Sequence, residues 1–365
     1  MTSLPNNTFP PDLSQIYDER LANQLANTQG AIGSLSQMVR QLHNPTLLMH
    51  PLLDKEAESS SQLEGTQASI EDVYKEGIED QSPEKRGHIQ EIRNYRDAML
   101  DGYAMVKKGM FSEAIIRGMH KTLMQGVRGG NKHPGEYRKG DVWVGKQGTS
   151  KDQARYIPPE AIHINGLMNR LVAFIKDKGE MNPLIASGII HHRFEAIHPF
   201  EDGNGRTGRI LISTYLINQG LMTLPVLYPS GYFEKNKNQY VDVLHSVDEK
   251  ENWYDWLLFF LKGLEVQAKL TLKVGLEIDK LFKESRELIE QDARSNIGLL
   301  RVLEYSFSNP YLTSPILNKR LKINKVTASR YLNKLSAQKI ISAGGTYQKS
   351  KVFVNSKLLD ILREI

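Results

Sequence analysis

The sequence predicts a mainly α-helical protein that carries one short β-hairpin among its helices and ends in a small domain of helices and strands. Apolar residues recur at three- and four-residue intervals through most of the first 290 positions, which is the period of an amphipathic helix. A Gly-rich stretch with a β-prone centre, residues 126–159, interrupts that pattern. The last 75 residues combine two short helical patterns with two β-prone runs.

Pairs of neighbouring residues mark where some of the helices begin. Ser82 and Pro83 are a helix cap and a first-turn proline, and Asn182 and Pro183 repeat the same pair. The hairpin is centred on residues 141–144, which read DVWV and favour a strand. The expected helices cover residues 12–43 with a break near Gly30, 53–68, 70–78, 82–99, 183–198, 209–220 and 240–264.

Composition excludes several classes of protein. With no cysteine among 365 residues, the chain has no disulfide framework, zinc-thiolate site or thiol nucleophile, which suits a reducing cytosol. The first eleven residues lack the basic and apolar regions of a secretory signal. The longest apolar run, residues 256–261, is far shorter than the ~20 residues needed to span a bilayer. We therefore expect a cytoplasmic protein without a membrane partner.

Positive charge is concentrated at the C-terminal end. The whole chain has a formal net charge of +5, but residues 291–365 carry 13 Lys and Arg against 4 Asp and Glu. That segment is therefore +9, and residues 1–290 are −4. One module, rather than the whole molecule, is expected to contact a polyanion.

Residues 198–209, which read HPFEDGNGRTGR, hold the groups needed to bind a polyphosphate. Gly203 and Gly205 allow left-handed backbone conformations, so that successive amide groups can turn inward as an anion nest. A helix that begins there adds its positive N-terminal end. Arg206 and Arg209 share one helix face, where both guanidinium groups can reach the far end of a triphosphate.

Two other side chains of this segment indicate catalysis. Asp202 would repel phosphate oxygens unless Mg²⁺ bridges them, so we infer a magnesium ion at this carboxylate. Histidine has an ordinary pKa of about 6.5, which suits His198 as a base that takes a proton from a hydroxyl group at neutral pH. The alternative is a Gly-rich turn beside a core histidine and two surface arginines.

This segment resembles, position for position, the HPFx(D/E)GNGRxxR signature of Fic-domain proteins, most of which transfer AMP from ATP to a protein hydroxyl group. The resemblance implies that His198 is the base, Phe200 a core anchor and Asp202 the metal ligand. It implies that the next residues bind ATP, with the nest at the glycines and the β- and γ-phosphates at the arginines: Gly203, Asn204, Gly205, Arg206, Thr207, Gly208 and Arg209.

Further stretches extend the resemblance over residues 50–265. One is similar to the hairpin flap with which Fic proteins hold a target segment by main-chain pairing: residues 135–138 (GEYR), followed by Val142, Trp143, Val144 and Gly145. Another similarity is to the ENY segment of Fic proteins, which corresponds to Glu91, Asn94 and Tyr95. Tyr240 lies in a stretch that resembles the nucleoside side of the site. It either stacks near the adenine or is a buried tyrosine that anchors a helix, and both interpretations stay open.

Residues 60–65, which read SSQLEG, resemble the inhibitory-helix motif (S/T)xxxE(G/N) of Fic proteins. Ser60 and Glu64 are four residues apart and share a helix face, while Gly65 ends the helix. A carboxylate paired bidentately with Arg209 would remove the guanidinium group that the γ-phosphate needs and would misdirect the α-phosphorus of ATP. We therefore expect Glu64 to inhibit the activity of its own chain. A solvated glutamate on an amphipathic helix is the alternative.

Residues 291–365 resemble a winged helix-turn-helix domain. Ser314 and Pro315 start one short helix, and Asn324 caps a second helix over residues 325–338. The core face of this second helix is expected to hold Val326, Ala328, Tyr331, Leu332 and Leu335. The β-prone runs 339–343 and 346–355 are expected to turn at Gly344 and Gly345.

Duplex DNA is one expected partner of this domain. Lys325 and Arg330 belong to the basic face of the second helix, and Lys349 and Lys351 belong to the wing, where they can face phosphates. A winged helix that serves protein contacts or dimerisation is the alternative.

The chain is long enough for two or three domains with their own cores. We expect an N-terminal helical region (residues 1–110) with the inhibitory helix at 53–66, a Fic catalytic core (111–265), a helical linker (266–290) and the winged helix-turn-helix domain (291–365).

The resemblance implies a nucleotidyltransferase that moves AMP from ATP to a Tyr, Thr or Ser hydroxyl group of a target protein, itself included. Mg²⁺ is the expected cofactor and Glu64 the inhibitor. Two alternatives stay open: Glu64 orients a water molecule that removes AMP from a modified side chain, or the Fic domain senses nucleotide for a DNA-binding regulator. The target and the oligomeric state, with a homodimer as one option, stay open as well.

Overall fold

The computed structural model describes residues 9–42, 44–109, 111–127, 130, 132–145, 151–291 and 297–364. Within them the chain is mainly α-helical, as the sequence predicts. The helices are α1 (Glu19–Gln41), α2 (Thr46–Leu63), α3 (Ile70–Lys75), α4 (Pro83–Val106), α5 (Glu113–Leu123), α6 (Ile164–Lys176), α7 (Pro183–Ile197), α8 (Asn204–Asn218), α9 (Ser230–Lys235), α10 (Lys237–Lys250), α11 (Trp253–Glu290), α12 (Ile297–Ser308), α13 (Ser314–Leu321), α14 (Lys325–Ala337) and α15 (Ser356–Arg363). Three short strands, β1 (Tyr311–Leu312), β2 (Ser342–Tyr347) and β3 (Ser350–Val354), lie near the C-terminus.

Two buried helices, α7 and α8, hold the loop that begins the segment HPFEDGNGRTGR. The side chain of Asn182 caps α7 by accepting a hydrogen bond from the Leu184 amide (2.9 Å), and Pro183 occupies the first turn. Both helices are buried on almost every face, because α4, α5, α6 and α11 pack around them. The loop of residues 198–203 is therefore held between rigid elements.

The helix that ends at the expected inhibitory glutamate is also enclosed. Helix α2 packs against α4, α8 and α9 on one side and against α12 on another. Its buried acids are hydrogen-bonded, as burial requires. Glu56 accepts hydrogen bonds from the Tyr95 hydroxyl (2.8 Å) and the Ser230 amide (3.0 Å), and Asp54 accepts one from the Tyr74 hydroxyl (3.1 Å).

Several expected boundaries differ from those of the structure. Helix α1 continues through Gly30, which is exposed and packs against nothing, so its cost is only the low helix propensity of glycine. Helix α2 runs over 46–63, starting and ending earlier than the expected inhibitory helix. The expected boundary at residue 265 falls inside α11, a continuous helix of 38 residues that belongs to both the core and the linker.

The expected flap hairpin contains one antiparallel bridge, between Val144 and Tyr156, with main-chain hydrogen bonds of 2.9 and 3.2 Å. Residues 146–150, which include its expected tip, lie outside the described residues. No described helix is both long and apolar enough to cross a membrane.

The C-terminal elements form a three-stranded antiparallel sheet, in the order β1-β3-β2, beside α12–α15. The expected turn position was wrong. The hairpin turns at Gln348 and Lys349, whose φ angles are 45° and 64°. Gly344 and Gly345 instead lie within β2, where the pairing register shifts between Ala343 and Thr346, as in a β-bulge.

The expected core face of α14 was wrong at one position. Ala328, Leu332 and Leu335 are buried, but Val326 is 79% exposed. The reason is helix geometry, because two residues correspond to about 200° of rotation and place Val326 opposite Ala328.

Candidate active site

The chain reverses direction at His198, which follows α7 in a left-handed conformation (φ 49°, ψ 60°). This conformation is uncommon for a non-glycine residue and turns the loop back toward α8. His198 lines a cavity of ≈ 190 Å³ together with Glu64, Arg209 and Tyr240. The sequence-predicted base, inhibitor and phosphate-binding arginine therefore meet in one cavity.

The loop is stiffened by Asn204, which the sequence predicts as part of the phosphate nest. Its Oδ1 accepts a hydrogen bond from the Phe200 amide, and its Nδ2 donates one to the Phe200 carbonyl, both at 2.9 Å. Phe200 is fully buried, as expected of a core anchor. The side chain of Asn204 thus holds the loop, and a role in binding phosphate is left to its amide group.

His120, which sequence reasoning did not single out, supports the same loop. Its ring stacks on Phe200 with the centroids 3.7 Å apart. Its Nδ1 accepts a hydrogen bond from the Gly135 amide (2.8 Å), so Nε2 carries the proton and donates to the Asp202 carbonyl (2.9 Å). Burial lowers the pKa of His120 to about 4, which keeps this tautomer in place at neutral pH.

Arg138, quoted with the flap but given no role, joins the flap to the loop. Its side chain is buried and donates to the carbonyl oxygens of His198 (2.9 Å) and Gly140 (3.1 Å), while its amide donates to the Pro199 carbonyl (2.9 Å). No sequence signal identified His120 or Arg138, because their partners are main-chain groups far away along the chain.

His198 is neutral in this setting. Burial lowers its pKa to about 4, and the hydrogen bond from the ring to the main chain of Glu195 offsets only part of that effect. A neutral imidazole has a free lone pair, so His198 has the protonation state that a general base needs.

The two arginines of the motif differ in their surroundings. Arg206 is buried, and its Nε and Nη1 have no hydrogen-bond partner among the described residues. Its nearest acids are Asp202 (3.8 Å) and Glu91 (4.0 Å), beyond hydrogen-bond distance. These donors are available to an anion, although Arg206 itself does not line the cavity that contains His198.

Arg209 is held by α2 through two of its three guanidinium nitrogens. Its Nε donates to Ser60 Oγ (2.7 Å), and its Nη2 donates to the Ser60 carbonyl and to Glu64 Oε1 (2.8 Å each). The expected bidentate pair between Glu64 and Arg209 is thus a single contact, because Ser60 takes the other donor. Burial would raise the pKa of Glu64, but the charge of Arg209 outweighs it and holds that pKa below its usual range.

The Glu64 carboxylate lies over the first turn of α8. A Cβ atom on Gly205 would overlap Glu64 Oε1, so the carboxylate occupies the space that this glycine leaves open. Lys237 Nζ donates to the carbonyl of Leu63 (2.6 Å) and fixes the end of α2. Glu64 therefore sits where the helix N-terminus and Arg209 would otherwise hold an anion.

Asp202 fits a magnesium ion by its chemistry. Its Oδ1 accepts a hydrogen bond from the Gly203 amide (2.7 Å), and its Oδ2 lies 3.5 Å from Lys132 Nζ, on a side chain that is 32% exposed. No cluster of three or more metal-binding side chains occurs in the described part of the chain. One carboxylate suits Mg²⁺ only when substrate phosphates and water complete the coordination.

The remaining predicted residues of the motif and the flap do not all line the cavity. The Thr207 side chain is buried and donates to the Gly203 carbonyl (2.8 Å), and Gly208 packs against Glu195 and Phe194, so neither lines the cavity. Gly203 has a φ of 77°, as a nest requires. Of the four flap residues, Val144 alone lines this cavity among the positions that the structure describes.

Tyr240 is a buried tyrosine of α10, and its stacking near an adenine stays a prediction. It lines the cavity, yet it is buried and its hydroxyl group lies 2.8 Å from His191 Nε2. Its ring stacks on Phe233 with the centroids 4.8 Å apart.

The basic residues considered for DNA binding lie outside the cavity. They are on α14 and on the β2–β3 hairpin: Lys325, Arg330, Lys349 and Lys351.

Comparison with known proteins places this geometry in a family. The sequence profile described as Fic/DOC family N-terminal matches residues 22–104, and that of the Fic/DOC family matches residues 110–216. Together they span just over half of the chain.

A probable protein adenylyltransferase of Aquifex aeolicus is 26% identical over 274 residues, which are 69% of this chain and 79% of that relative. The protein adenylyltransferase Fic of Aedes aegypti is 30% identical over 118 residues, 32% of this chain, and the match spans only 20% of the insect protein.

Solved structures share the fold. A Fic family protein from Desulfovibrio desulfuricans has a TM-score of 0.58 at 22% identity, over 93% of this chain and 96% of its own. A Fic domain signaling protein from Bacteroides thetaiotaomicron has a TM-score of 0.52 at 19% identity, over 70% of this chain and 97% of its own. With both profiles matched and His198, Gly205 and Arg209 of the motif lining one cavity, the chain belongs to the Fic/DOC family.

Proposed function

We propose that this chain is a protein adenylyltransferase that transfers AMP from ATP to a Tyr, Thr or Ser hydroxyl group of a protein, and that Glu64 inhibits it. The observation that carries the proposal is the meeting of a neutral His198 with Gly205 and Arg209, on the first two turns of α8, in one cavity. The naming of curated relatives as protein adenylyltransferases supports it.

In this mechanism His198 takes the proton of the target hydroxyl group, and the oxygen attacks the α-phosphorus of ATP. The bond from the α-phosphorus to the bridging oxygen breaks, and pyrophosphate leaves. The amide groups at Gly203 and Gly205, together with Arg206 and Arg209, stabilise the negative charge that develops on the leaving group. Asp202 would hold Mg²⁺, which supplies further positive charge at the same phosphates.

Inhibition follows from competition for one guanidinium group. While Arg209 donates to Ser60 and Glu64, its Nε and Nη2 are not available to a γ-phosphate. The Glu64 carboxylate also adds negative charge at the N-terminal turn of α8, where it repels phosphate. Release of α2 from this position would free the Arg209 guanidinium group and would remove the Glu64 charge from the N-terminal turn of α8.

Transfer of label from α-labelled ATP to protein tests the proposal. Wild type, Glu64→Gly and Glu64→Gln are compared with Glu64→Gly/His198→Ala, alone and with a cell lysate. Losing one charge-assisted hydrogen bond to Arg209 should raise labelling by about tenfold or more. Glu64→Gln, which keeps the size of the side chain without its charge, should fall between wild type and Glu64→Gly.

The two parts of the proposal fail separately. Equal labelling by wild type and Glu64→Gly contradicts the inhibition. No labelling by Glu64→Gly, or labelling that survives the His198→Ala change, contradicts the proposed chemistry.

Removal of AMP is a second candidate activity, favoured by one observation. Glu64 lines the same cavity as His198, where a carboxylate can orient a water molecule toward an AMP-modified side chain. A protein labelled by Glu64→Gly and then purified provides the substrate. Release of AMP from it by wild type, but not by Glu64→Gly, would establish this reaction.

We also propose that residues 291–365 form a winged helix-turn-helix domain that binds duplex DNA. No acidic residue occurs between Glu304 and Asp360, whereas ten Lys and Arg lie there. Helix α14 leaves Val326, Ser329, Arg330 and Asn333 exposed in one stripe. Such a stripe offers arginine and asparagine donors to base edges and an apolar group to thymine methyl groups.

A further inference from the structure

Glu195 lies in the active-site cavity, and no step above uses its side chain. It belongs to the last turn of α7, three residues before His198, and lines the same cavity as His198 and Arg209. Its Oε1 is buried and has no hydrogen-bond partner among the described residues. Because buried carboxyl oxygens are nearly always hydrogen-bonded, such an atom beside a ligand cavity indicates a missing partner.

The fold leaves specific room for this carboxyl group. A Cβ atom on Gly208 would overlap Glu195 Oε1 and would lie 3.1 Å from Phe194 Cδ1. Any side chain at this position would displace the carboxyl group. The glycine of the motif at 208, which does not itself line the cavity, thus allows Glu195 to lie against α8 beside Arg209.

The surroundings of Glu195 favour its neutral form. Burial is the main cause, the charge of Arg209 opposes it and the charge of Glu64 reinforces it, so that the pKa of Glu195 is raised to about 8. The Tyr240 hydroxyl group faces the same carboxyl group from α10. The other charged or titratable groups that line the cavity are Tyr156, His198, Lys237, His245 and Asp248.

The two forms of Glu195 would act on a nucleotide in opposite ways. A protonated carboxyl group can donate a hydrogen bond to a phosphate or ribose oxygen. A carboxylate would repel phosphate and would attract Arg209, as Glu64 does in the inhibited arrangement.

We propose that Glu195 is a nucleotide-binding residue whose protonated carboxyl group donates a hydrogen bond to an oxygen of bound ATP. This rests on the proposed function only in taking ATP as the ligand of the cavity. Binding of ATP then favours the protonated form, so affinity falls as pH rises past the pKa of the free protein.

The dissociation constant of ATP, measured between pH 7.5 and 9.5, tests this proposal. The measurement uses Glu64→Gly, in which no inhibitory carboxylate competes with ATP, and Glu64→Gly/Glu195→Gln. Loss of the Glu64 charge lowers the pKa of Glu195, so the fall in affinity should begin below pH 8. Above that point Kd should rise by up to about tenfold per pH unit in Glu64→Gly.

The glutamine variant provides the decisive comparison. An amide group donates hydrogen bonds at every pH and carries no charge, so Glu64→Gly/Glu195→Gln should show a nearly flat Kd over this range. Glu64→Gly/Glu195→Ala should bind ATP about tenfold more weakly than the glutamine variant at pH 7.5, because it lacks the donor. Glu64→Gly/Glu249→Gln, altered at an exposed position of α10, should follow Glu64→Gly at every pH.

Parallel pH curves for the glutamate and glutamine variants would overturn the role of Glu195. Melting temperatures at each pH separate this result from a loss of folding. If the curves differ as expected but no variant transfers label from ATP, the transferase activity is wrong while the role of Glu195 in binding stands.

Discussion

Burial sets the protonation state of the candidate base, and this has a consequence for pH dependence. The pKa of His198 is lowered to about 4 because its ring is removed from water. Its neutral form therefore persists well below pH 6.5, the range in which an exposed histidine would become charged.

We therefore expect the labelling rate of Glu64→Gly, at saturating ATP, to stay level between pH 8 and 5.5 as far as the base is concerned. The measurement is the initial rate across that range, with a melting curve at each pH as the control for folding. A fall in rate with a midpoint near 6.5 would show that His198 is solvated in the working enzyme.

The metal proposal gives a second prediction at the residue scale. Asp202→Ala should lower turnover of Glu64→Gly by about a hundredfold or more, since metal-supplied charge at the leaving group is worth several kcal/mol. ATP affinity should change far less, because the arginines and loop amides remain. The measurements are the labelling rate and the dissociation constant of ATP.

The Asp202→Asn variant distinguishes the loss of the metal from a change in the loop. It keeps an acceptor for the Gly203 amide, which Asp202 Oδ1 binds at 2.7 Å, but it has no charge for a cation. It should therefore resemble Asp202→Ala in turnover. Full turnover by Glu64→Gly in the presence of EDTA would rule out the magnesium ion.

At this scale the sequence predicted which residues meet in the cavity, but not the residues that hold the loop of residues 198–203 in place. His198, Glu64 and Arg209 were identified from a motif whose residues are close along the chain or fixed by helix spacing. The bidentate contact was wrong because Ser60 Oγ takes Nε of Arg209 (2.7 Å), which leaves Glu64 with Nη2 alone. The Ser60 carbonyl also accepts from Nη2 (2.8 Å), and a main-chain acceptor has no signature in the sequence. The same holds for His120 and Arg138, which bind carbonyl groups of the loop.

At the scale of elements, helix caps and periodicity predicted the helices, whereas strand turns and helix ends were less predictable. Asn182 and Ser82 cap α7 and α4 as expected. The turn of the C-terminal hairpin was assigned to two glycines, yet Gln348 and Lys349 adopt the positive φ angles there. The pairing of Tyr347 with Ser350 places the turn at these two residues, and the register shift between Ala343 and Thr346 keeps the glycines inside β2, which local residue preference did not reveal.

Helix α14 and the hairpin give the prediction at this scale. Arg330→Ala and Lys325→Ala in the full-length chain should weaken binding to duplex DNA and should each reduce the slope of log affinity against log salt by about 0.9 if they contact phosphate. Arg330→Ala should also relax sequence preference if the guanidinium group reads a guanine. Gel-shift or fluorescence titrations at several salt concentrations measure both effects.

Lys176→Ala, an exposed change on α6 that also removes one positive charge, is the matched control and should leave the slope unchanged. No shift of any duplex by the full chain at ~50 mM salt, where phosphate contacts are strongest, would favour a protein-docking role for the domain.

At the scale of the whole molecule, the C-terminal elements and α2, the proposed inhibitory helix, are neighbours. Helix α12 packs on α2, and α15 packs on α2 and α11. Arg363 Nη2 donates to Glu71 Oε1 (2.7 Å) on α3, which begins six residues after Glu64. Lys273 Nζ donates to Glu364 Oε2 (2.6 Å). The sequence predicted a separate module attached through a linker. It did not predict the contacts between this module and α2, because packing between distant segments leaves no local pattern in the sequence.

This packing changes what truncation should do. Removing residues 291–365 exposes the surface of α2 that α12 covers, so the position that holds Glu64 against Arg209 should be less stable. We expect the truncated wild type to label itself about fivefold faster than the full chain, which corresponds to ~1 kcal/mol of lost support. Its melting temperature should fall as well.

Two comparisons make this prediction specific to the inhibitory helix. Truncation of Glu64→Gly, which has no inhibitory carboxylate to release, should leave its labelling rate unchanged at a temperature where both forms are folded. Arg363→Ala in the full chain removes exposed ion pairs with Glu71 and Asp360, of which only the Glu71 pair, worth at most about 1 kcal/mol, reaches α3. It should raise wild-type labelling less than truncation does. If the truncated wild type remains as inhibited as the full chain, the contacts of α2 with α4, α8 and α9 are enough to hold Glu64 in place, and the C-terminal domain has no part in the inhibition.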